Sequence, residues 1–320
     1  MQVFRKLEEV PANLGATVLS VGNFDGVHRA HREVLGNVVE RAHELGAKSV
    51  AVTFEPHPMR ILRPDVAPRL LTPLPVKLSL LGKTGLDAVL VLPFTRDLSL
   101  ISPQDFARTI LNKCLHGREV HEGFNFRFGR GAAGNVEQLQ NLGHELGFDV
   151  KVYSERRIRG DVVSSSRIRD LLRAGRLTQA NRLLGRAFSI ISTPGRGRGY
   201  GHRYTVPTIN MSRYEELTAA DGVYITHTRV GEDRFEAVTN VGNRPTFGTD
   251  SFAIESHLLN FHPIDVTSET ELEITFLYRL RDEIKFPSVE ALREQIARDV
   301  HRARRYFHLS HCAAGKAQLR

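Results

Sequence analysis

The first half of the chain alternates between two patterns of apolar residues. Short runs of β-branched and aromatic residues predict strands, the first of them buried. These runs are Thr17 to Val21, Ser49 to Phe54, Ala88 to Pro93 and Phe148 to Tyr153. Between them apolar residues recur every three or four positions, which predicts helices, one of them from His31 until Gly46. The alternation predicts an α/β domain whose parallel sheet is covered on both faces and binds ligands beyond the carboxyl ends of its strands.

The pattern changes after Leu184 and Gly185. Short strand-like runs separated by turn residues now follow one another, and they predict a small antiparallel β-barrel or sandwich. The runs are Gly222 to Arg229, Phe235 to Val241, Ala253 to Leu259 and Glu271 to Tyr278. An amphipathic helix is predicted after Pro287 and Ser288. We therefore expect two domains, residues 1–185 and residues 186–320, which suits a length of 320 residues.

Composition narrows the class of protein. The chain is 41% hydrophobic and 25% charged, as soluble globular proteins are. Cys114 and Cys312 lie far apart without metal-ligand spacing, which argues against a disulfide framework or a zinc site and favours a reducing compartment. The longest apolar run, Ala88 to Phe94, is far shorter than the ~20 residues of a membrane-spanning helix. We expect a cytoplasmic protein without a membrane partner.

The formal net charge of +8 suits anionic partners such as nucleotides or nucleic acids. Arginine is scattered along the chain instead of forming one basic run, so a solvated basic surface explains the charge equally well. The net charge is weak support for any single class of ligand.

A glycine-bearing turn follows the first predicted strand. Gly22 and Gly26 let the backbone approach a ligand closely, and His28 and His31 stand where the next helix begins. Unpaired N–H groups and the helix dipole make such a helix start an anion site. A lone histidine pair would more simply be two surface residues that open a helix.

A second segment also suits phosphate. Ser164, Ser165 and Ser166 precede a predicted helix, with Arg167 and Arg169 in its first turn. Serines commonly cap helices, so an ordinary cap is the simpler alternative. Hydroxyls combined with arginine forks nevertheless match phosphate oxygens well.

These two segments resemble the HxGH nucleotidyltransferases, which carry a histidine pair after the first strand and a serine-rich segment before a late helix. Further blocks resemble the amino-terminal domain of the bacterial bifunctional riboflavin kinase/FMN adenylyltransferases. The blocks are GNFDGVHRAHREVL, TFEPHP from Thr53, SPQDFARTIL from Ser102 and GFNFRFGRGAAGN from Gly123. The resemblance implies a Rossmann-like nucleotidyltransferase domain that transfers the adenylyl group of ATP to FMN, giving FAD and pyrophosphate with Mg²⁺.

The resemblance also implies roles for residues that match the family's motifs. His28 and His31 would hold the ATP phosphates during catalysis, and Asn125 would lie near the reacting phosphates. The remaining ATP-binding residues would be Gly22, Asn23, Phe24, Asp25, Ser164 and Arg169. Arg127, Phe126 and Phe128 would help to seat the flavin; for the two phenylalanines, a place in the core is an equally good interpretation.

Two positions depart from the family pattern. Ala30 replaces the glycine between the histidines, and Asn135 replaces an acidic residue after the GRGxxG segment. Alanine adds only a methyl group, so we expect altered ATP affinity instead of lost activity.

The second half resembles the riboflavin kinase domain over nearly all of residues 186–307. The resemblance rests on PTIN at 207–210, NVGNRPTFG from Asn240, ESHLLNF from Glu255 and RLRDEIKF from Arg279. It implies that Thr208 and Asn210 coordinate Mg²⁺ and the ATP phosphates, and that Glu255 is the base that activates the ribityl hydroxyl of riboflavin. Taken alone, PTIN is a turn and Glu255 the outward side of a strand. Thr205 replaces a loop glycine of the family.

Three hypotheses remain at this stage. A bifunctional enzyme would phosphorylate riboflavin to FMN and then adenylylate FMN to FAD, with flavins and ATP as its small-molecule partners. An FMN adenylyltransferase with an inactive kinase domain is the second, motivated by Thr205. A basic nucleotide- or RNA-binding protein is the third, motivated by net charge and the Gly-Arg-rich segment from Gly195 to Gly199; it leaves the histidine pair unexplained, and we do not expect a nucleic acid partner.

Overall fold

A computed structural model of the chain describes residues 1–195, 208–243 and 252–318. It divides into two compact units, Met1–Arg167 and Ile168–Arg320. The predicted domain boundary after Gly185 stays a prediction. Parts of the segments singled out above fall outside the described residues: 196–199 of the Gly-Arg-rich segment, Thr205, Pro207 and residues 244–248. Within the described part of the chain, no helix is both long and apolar enough to cross a membrane.

The first unit is built on a six-stranded parallel sheet with strand order β1-β4-β3-β2-β5-β6. Its strands are β1 (Gln2–Phe4), β2 (Thr17–Val21), β3 (Lys48–Glu55), β4 (Ala88–Pro93), β5 (Gly117–Gly123) and β6 (Asp149–Tyr153). A two-stranded ribbon of β7 (Arg157–Ile158) and β8 (Asp161–Val162) follows. All five residues of β2 are buried, as a central parallel strand requires.

Helices cover both faces of this sheet. The helices of this half of the chain are α1 (Arg29–Glu44), α2 (Pro58–Leu62), α3 (Leu74–Gly82), α4 (Pro103–Asp105), which continues as a π-helix (Phe106–Cys114), and α5 (Val136–Leu146). Helix α6 (Ser165–Arg173) begins in the first unit and ends in the second. One apolar cluster contains Leu35 and Val38 of α1 against Val18 and Ala51. The other contains Phe106 and Leu139 against Leu19 and Val120. The predicted parallel sheet with two covered faces is confirmed.

The second unit holds a six-stranded antiparallel sheet with strand order β10-β13-β12-β11-β14-β9. Helix α7 (Leu177–Leu184) precedes β9 (Phe188–Ser192), β10 (Thr208–Asn210), β11 (Gly222–Val230), β12 (Asp233–Asn243), β13 (Phe252–Leu259) and β14 (Leu272–Arg281), and α8 (Val289–Gln318) follows them. Ala303 and Phe307 of α8 pack on Val223 and Ile225 of β11. This confirms the predicted antiparallel domain with a carboxy-terminal helix.

Candidate functional site

The strand order of the first unit places a crevice between β2 and β5. The chain runs from β2 outward to β3 and β4 on one side, and then returns to β5 and β6 on the other. Such a reversal point opens a ligand crevice beyond the carboxyl ends of the strands. The turn that begins at Gly22 leaves β2 at this point, and the loop from Phe124 leaves β5 there.

The turn after β2 is held by neighbouring backbone. The amide of Gly22 donates to the carbonyl of Val52 at 2.9 Å, and the amide of Gly26 donates to Oγ1 of Thr72 at 2.9 Å. Phe24 and Val27 adopt φ values of +45° and +37°, which residues other than glycine seldom enter. Such conformations persist only where the surrounding structure fixes them, and they cluster at ligand sites.

Asp25 fixes the same turn from its side chain. Its buried carboxylate accepts hydrogen bonds from the amides of Leu71 and Thr72, each at 3.0 Å. Its backbone carbonyl accepts a hydrogen bond from Oγ of Ser165 at 2.9 Å. These contacts hold the shape of the turn between β2 and α1, residues 22–28, which is called the phosphate turn below.

The two histidines stack at the amino terminus of α1. His28 caps the helix, since its Nδ1 accepts from the amide of His31 at 3.3 Å, and the ring centroids are 3.5 Å apart. The shielded Nδ1 of His31 has no hydrogen-bond partner in the described structure. Burial, and secondarily the neighbouring His28 and Lys77, hold the pKa of His31 well below its usual value. A neutral imidazole with an unpaired nitrogen at a helix start is well placed to bind a ligand.

Lys77 of α3 is a site residue that sequence reasoning missed. Its ammonium group is buried and donates to Oγ1 of Thr53 at 3.1 Å, to the carbonyl of Asn23 at 3.3 Å and to the carbonyl of Phe54 at 3.5 Å. All three acceptors are neutral. Burial lowers the pKa of Lys77, and the carboxylates of Glu55 and Asp25 oppose that effect. The only sequence signal is a lysine at an otherwise buried position of an apolar helix.

The serine-rich segment lies against the phosphate turn. Oγ of Ser164 accepts from the amide of Arg167 at 3.2 Å, as a helix cap does. The next residue, Ser165, makes the bond to the Asp25 carbonyl described above. Arg169 lies one turn along α6 and is buried, but it belongs to the second compact unit. Ser165 therefore contacts the phosphate turn, and Ser164 is its neighbour in the chain.

The loop after β5 contains both exposed and buried residues. Asn125 and Arg127 are exposed. Phe126 and Phe128 stack with ring centroids 5.4 Å apart, and Phe128, 6% exposed, belongs to the apolar cluster beneath the sheet. Core packing therefore accounts for Phe128, whereas Phe124, which the sequence did not single out, is 53% exposed beside the crevice.

In the second unit, three predicted residues lie on neighbouring strands. Asn210 of β10 is paired directly with Glu255 of β13, and Glu255 is paired with Asn240 of β12. Thr208 is two residues from Asn210, so both side chains project from the same face as Glu255. A hydroxyl, two amides and a carboxylate thus share one face of the sheet.

Two family models match the chain. Residues 10–167 match the FAD synthetase family and residues 184–307 match the riboflavin kinase family. A protein from Pseudomonas fluorescens named bifunctional riboflavin kinase/FMN adenylyltransferase is 35% identical over 95% of this chain and 97% of its own length. A protein of the same name from Escherichia coli K12 is 34% identical over 92% of this chain and 93% of its own.

A solved structure shares the architecture. A crystal structure described as a macrolide-efflux protein from Streptococcus pneumoniae superposes with a TM-score of 0.84, covering 94% of this chain and 98% of that one. At 24% identity, this likeness shows the fold alone.

Fold, site and sequence relatives together define a nucleotidyltransferase domain joined to a flavin kinase domain. The chain belongs to the family of bifunctional riboflavin kinase/FMN adenylyltransferases, which confirms the resemblance found in its motifs.

Proposed function

We propose that this chain makes FAD from riboflavin in two ATP-dependent steps. The first phosphorylates the ribityl hydroxyl of riboflavin and yields FMN and ADP. In the second, an FMN phosphate oxygen attacks the α-phosphorus of ATP, and pyrophosphate leaves to give FAD. Both family models and the full-length relatives support this assignment.

The observation that carries the adenylyl transfer is the turn between β2 and α1. It combines a helix start, stacked His28 and His31, and a buried ammonium group at Lys77 around one crevice. These groups all favour an anion. No covalent enzyme intermediate is needed, so positioning and charge stabilisation of the phosphates supply the catalysis. Ser164, Arg169 and Asn125 complete our assignment of phosphate-binding residues, and the turn residues Gly22 to Asp25 shape the cradle.

The kinase step belongs to the face shared by Thr208, Asn210 and Glu255. Glu255 would accept the proton of the ribityl hydroxyl as that oxygen attacks the γ-phosphorus of ATP. Hydroxyl, amide and carboxylate oxygens are ligands that Mg²⁺ prefers, so Thr208 and Asn210 suit it. The ion would neutralise charge on the transferred phosphoryl group when bound.

The proposal also covers the flavin-binding residues, the domain bounds and the cellular location. Arg127, exposed beside the crevice, would contact FMN in the adenylyl-transfer site, with Phe126 behind it. We propose residues 1–185 as the adenylyltransferase domain and residues 186–320 as the kinase domain. A cytoplasmic location agrees with the small charged substrates and the absence of paired cysteines.

Separate assays of the two steps test the proposal. Purified protein receives either riboflavin or FMN together with ATP and Mg²⁺, and the flavins are separated by chromatography. We expect FMN and FAD from riboflavin, and FAD from FMN. Formation of FAD from FMN with no product from riboflavin would leave only the adenylyltransferase, and no turnover of either flavin would refute the assignment.

Reciprocal variants assign each step to its site. His28→Ala removes a phosphate-binding group, so FAD formation should fall by about a hundredfold or more while FMN formation persists. Glu255→Ala should lower FMN formation by a similar factor and spare FAD formation from FMN. Equal loss of both steps in a folded variant would show that the steps do not have separate sites.

A further inference from the structure

One buried carboxyl group beneath the adenylyl-transfer crevice has no role in the assignments above. Glu122 lies near the end of β5 and is 3% exposed. Alternation along the strand places it on the same face as Val120, in the apolar cluster, and opposite Glu119 and His121. Glu119 is paired with Arg41 on α1, so Glu122 does not share that ion pair.

The side chain of Glu122 on β5 forms a hydrogen bond to β2 just beyond the last paired residues of these two strands. The pairing of β2 with β5 stops at Leu19 and Val120. Two residues further on, the amide of Val21 donates to Oε1 of Glu122 at 2.6 Å. Val21 immediately precedes the phosphate turn, and Glu122 precedes the loop that carries Asn125. The carboxyl group therefore lies at the floor of the crevice, between the two loops that border it.

The second oxygen of this carboxyl group makes no hydrogen bond to a described residue, and it is not among the fully shielded polar atoms without a partner. Across the described residues, the bond from Val21 is the one hydrogen bond that Glu122 makes. Burial raises the pKa of Glu122 well above its usual value, and the Val21 amide only partly opposes this. Burial thus favours the neutral form of the group, which has an O–H to donate. Its second oxygen has no hydrogen bond to a described residue, so that oxygen is open to a ligand at the floor of the crevice.

We propose that Glu122 is a further substrate-binding residue of the adenylyl-transfer site, whose carboxylic acid O–H donates a hydrogen bond to a phosphate oxygen of a bound substrate. Phosphate is the chemistry that the neighbouring turn is built to bind, and it offers acceptors only. An ionised carboxylate at the same place would repel it. The inference rests on the proposed adenylyl transfer.

Substitution by glutamine and by methionine separates the roles of this side chain. Glu122→Gln keeps a neutral acceptor for Val21 and an N–H donor for the ligand. Glu122→Met keeps the length and loses both. We expect the methionine variant to weaken binding of ATP or FMN by about tenfold to a hundredfold, the range for one hydrogen bond to a charged group, and the glutamine variant to bind nearly normally at pH 7.

The decisive measurement is binding against pH. Ionisation of Glu122 removes the donor and leaves the acceptor, so the dissociation constant of the wild-type protein should rise at alkaline pH, whereas that of Glu122→Gln should not. His28, His31, Asp25, Lys77 and Glu55 surround the adjoining turn and are unchanged in both proteins. Glu145→Gln, an exposed change of the same kind on α5, is the control and should follow the wild type.

Calorimetric titration with ATP and with FMN, each alone, identifies which phosphate Glu122 contacts. Identical pH dependence of both dissociation constants in wild type and Glu122→Gln would overturn the inference, even if the methionine variant fails to fold. If the wild-type protein makes no FAD from FMN, the proposed function fails instead. Circular dichroism and the unfolding temperature of each variant report whether it is folded.

Discussion

At the scale of single residues, Lys77 places a positive charge close to His31. A buried ammonium group with neutral acceptors lies beside His31 and contributes to the low pKa of that imidazole. It also holds the carbonyl of Asn23 in the phosphate turn. A cation buried without an ion pair among the described residues is unfavourable until an anion arrives. We therefore expect Lys77 to favour the ATP-bound state.

We predict that Lys77→Met raises the pKa of His31. Loss of the positive charge makes protonation of the imidazole less unfavourable, so its titration moves toward the ordinary value of about 6.5. Affinity for ATP should fall by about tenfold or more, because a charged donor near the phosphates is gone. Histidine ring signals followed by NMR against pH check the first effect. Lys83→Met, an exposed change at the carboxyl end of the same helix, should alter neither quantity.

The two departures from the family pattern in the first unit are compatible with their local structure. Ala30 lies in the first turn of α1, where the helical backbone makes no demand for glycine. Asn135 caps α5 by accepting from the amide of Gln138 at 2.8 Å, a bond that an aspartate would also accept. Whether the methyl group of Ala30 alters ATP affinity stays a prediction, which Ala30→Gly and an ATP titration would check.

At the scale of elements, the sequence predicted the strands that are rich in apolar residues. Thr17–Val21 and Ala88–Pro93 have the bounds that their apolar runs indicate. The central strand β5 was missed because its sequence, GREVHEG, is mostly polar. Its acids are buried through tertiary partners, the Arg41 guanidinium for Glu119 and the Val21 amide for Glu122. No periodicity within seven residues can reveal such partners, and Lys77 was missed for the same reason.

The docking of α8 on β11 should weaken on acidification. The ring of His227 on β11 lies 5.2 Å from that of Phe307 on α8, and burial, aided by Arg234, lowers the pKa of His227 to about 4. The unfolded chain takes up this proton near pH 6.5, whereas the folded protein does so only near pH 4. Stability contributed by neutral His227 is therefore full above about pH 6.5 and is lost as the pH falls to about 4.

His227→Leu tests this contribution. The leucine cannot be protonated and still packs on Phe307. The free energy of unfolding should therefore fall by about 1 to 3 kcal/mol less between pH 6.5 and pH 4 than it does in the wild type, and the unfolding temperature should decline less steeply. Calorimetric unfolding at several pH values gives the slope. Exposed His144→Gln should leave the slope unchanged. An unchanged slope in His227→Leu would mean that other groups cause the acid sensitivity.

At the scale of the whole molecule, the residues assigned to the two steps come from different parts of the chain. His28, His31, Asn125 and Ser164 lie in Met1–Arg167, and Thr208, Asn210 and Glu255 lie in Ile168–Arg320. The family models divide the chain in the same manner, at 10–167 and 184–307. Arg169 is the exception, since it follows the serine segment on α6 but belongs to the second unit. Each step should therefore tolerate loss of the other.

Mixing two inactive proteins tests this independence. His28→Ala retains the kinase site and Glu255→Ala retains the adenylyl-transfer site, so neither alone should convert riboflavin to FAD. Their equimolar mixture should make FAD, because FMN released by the first protein can bind the second. The FAD rate should rise with the concentration of both proteins, after a lag in which FMN accumulates. Failure of the mixture, while each variant performs its remaining step, would show that FMN formed at the kinase site does not reach the adenylyl-transfer site of another molecule.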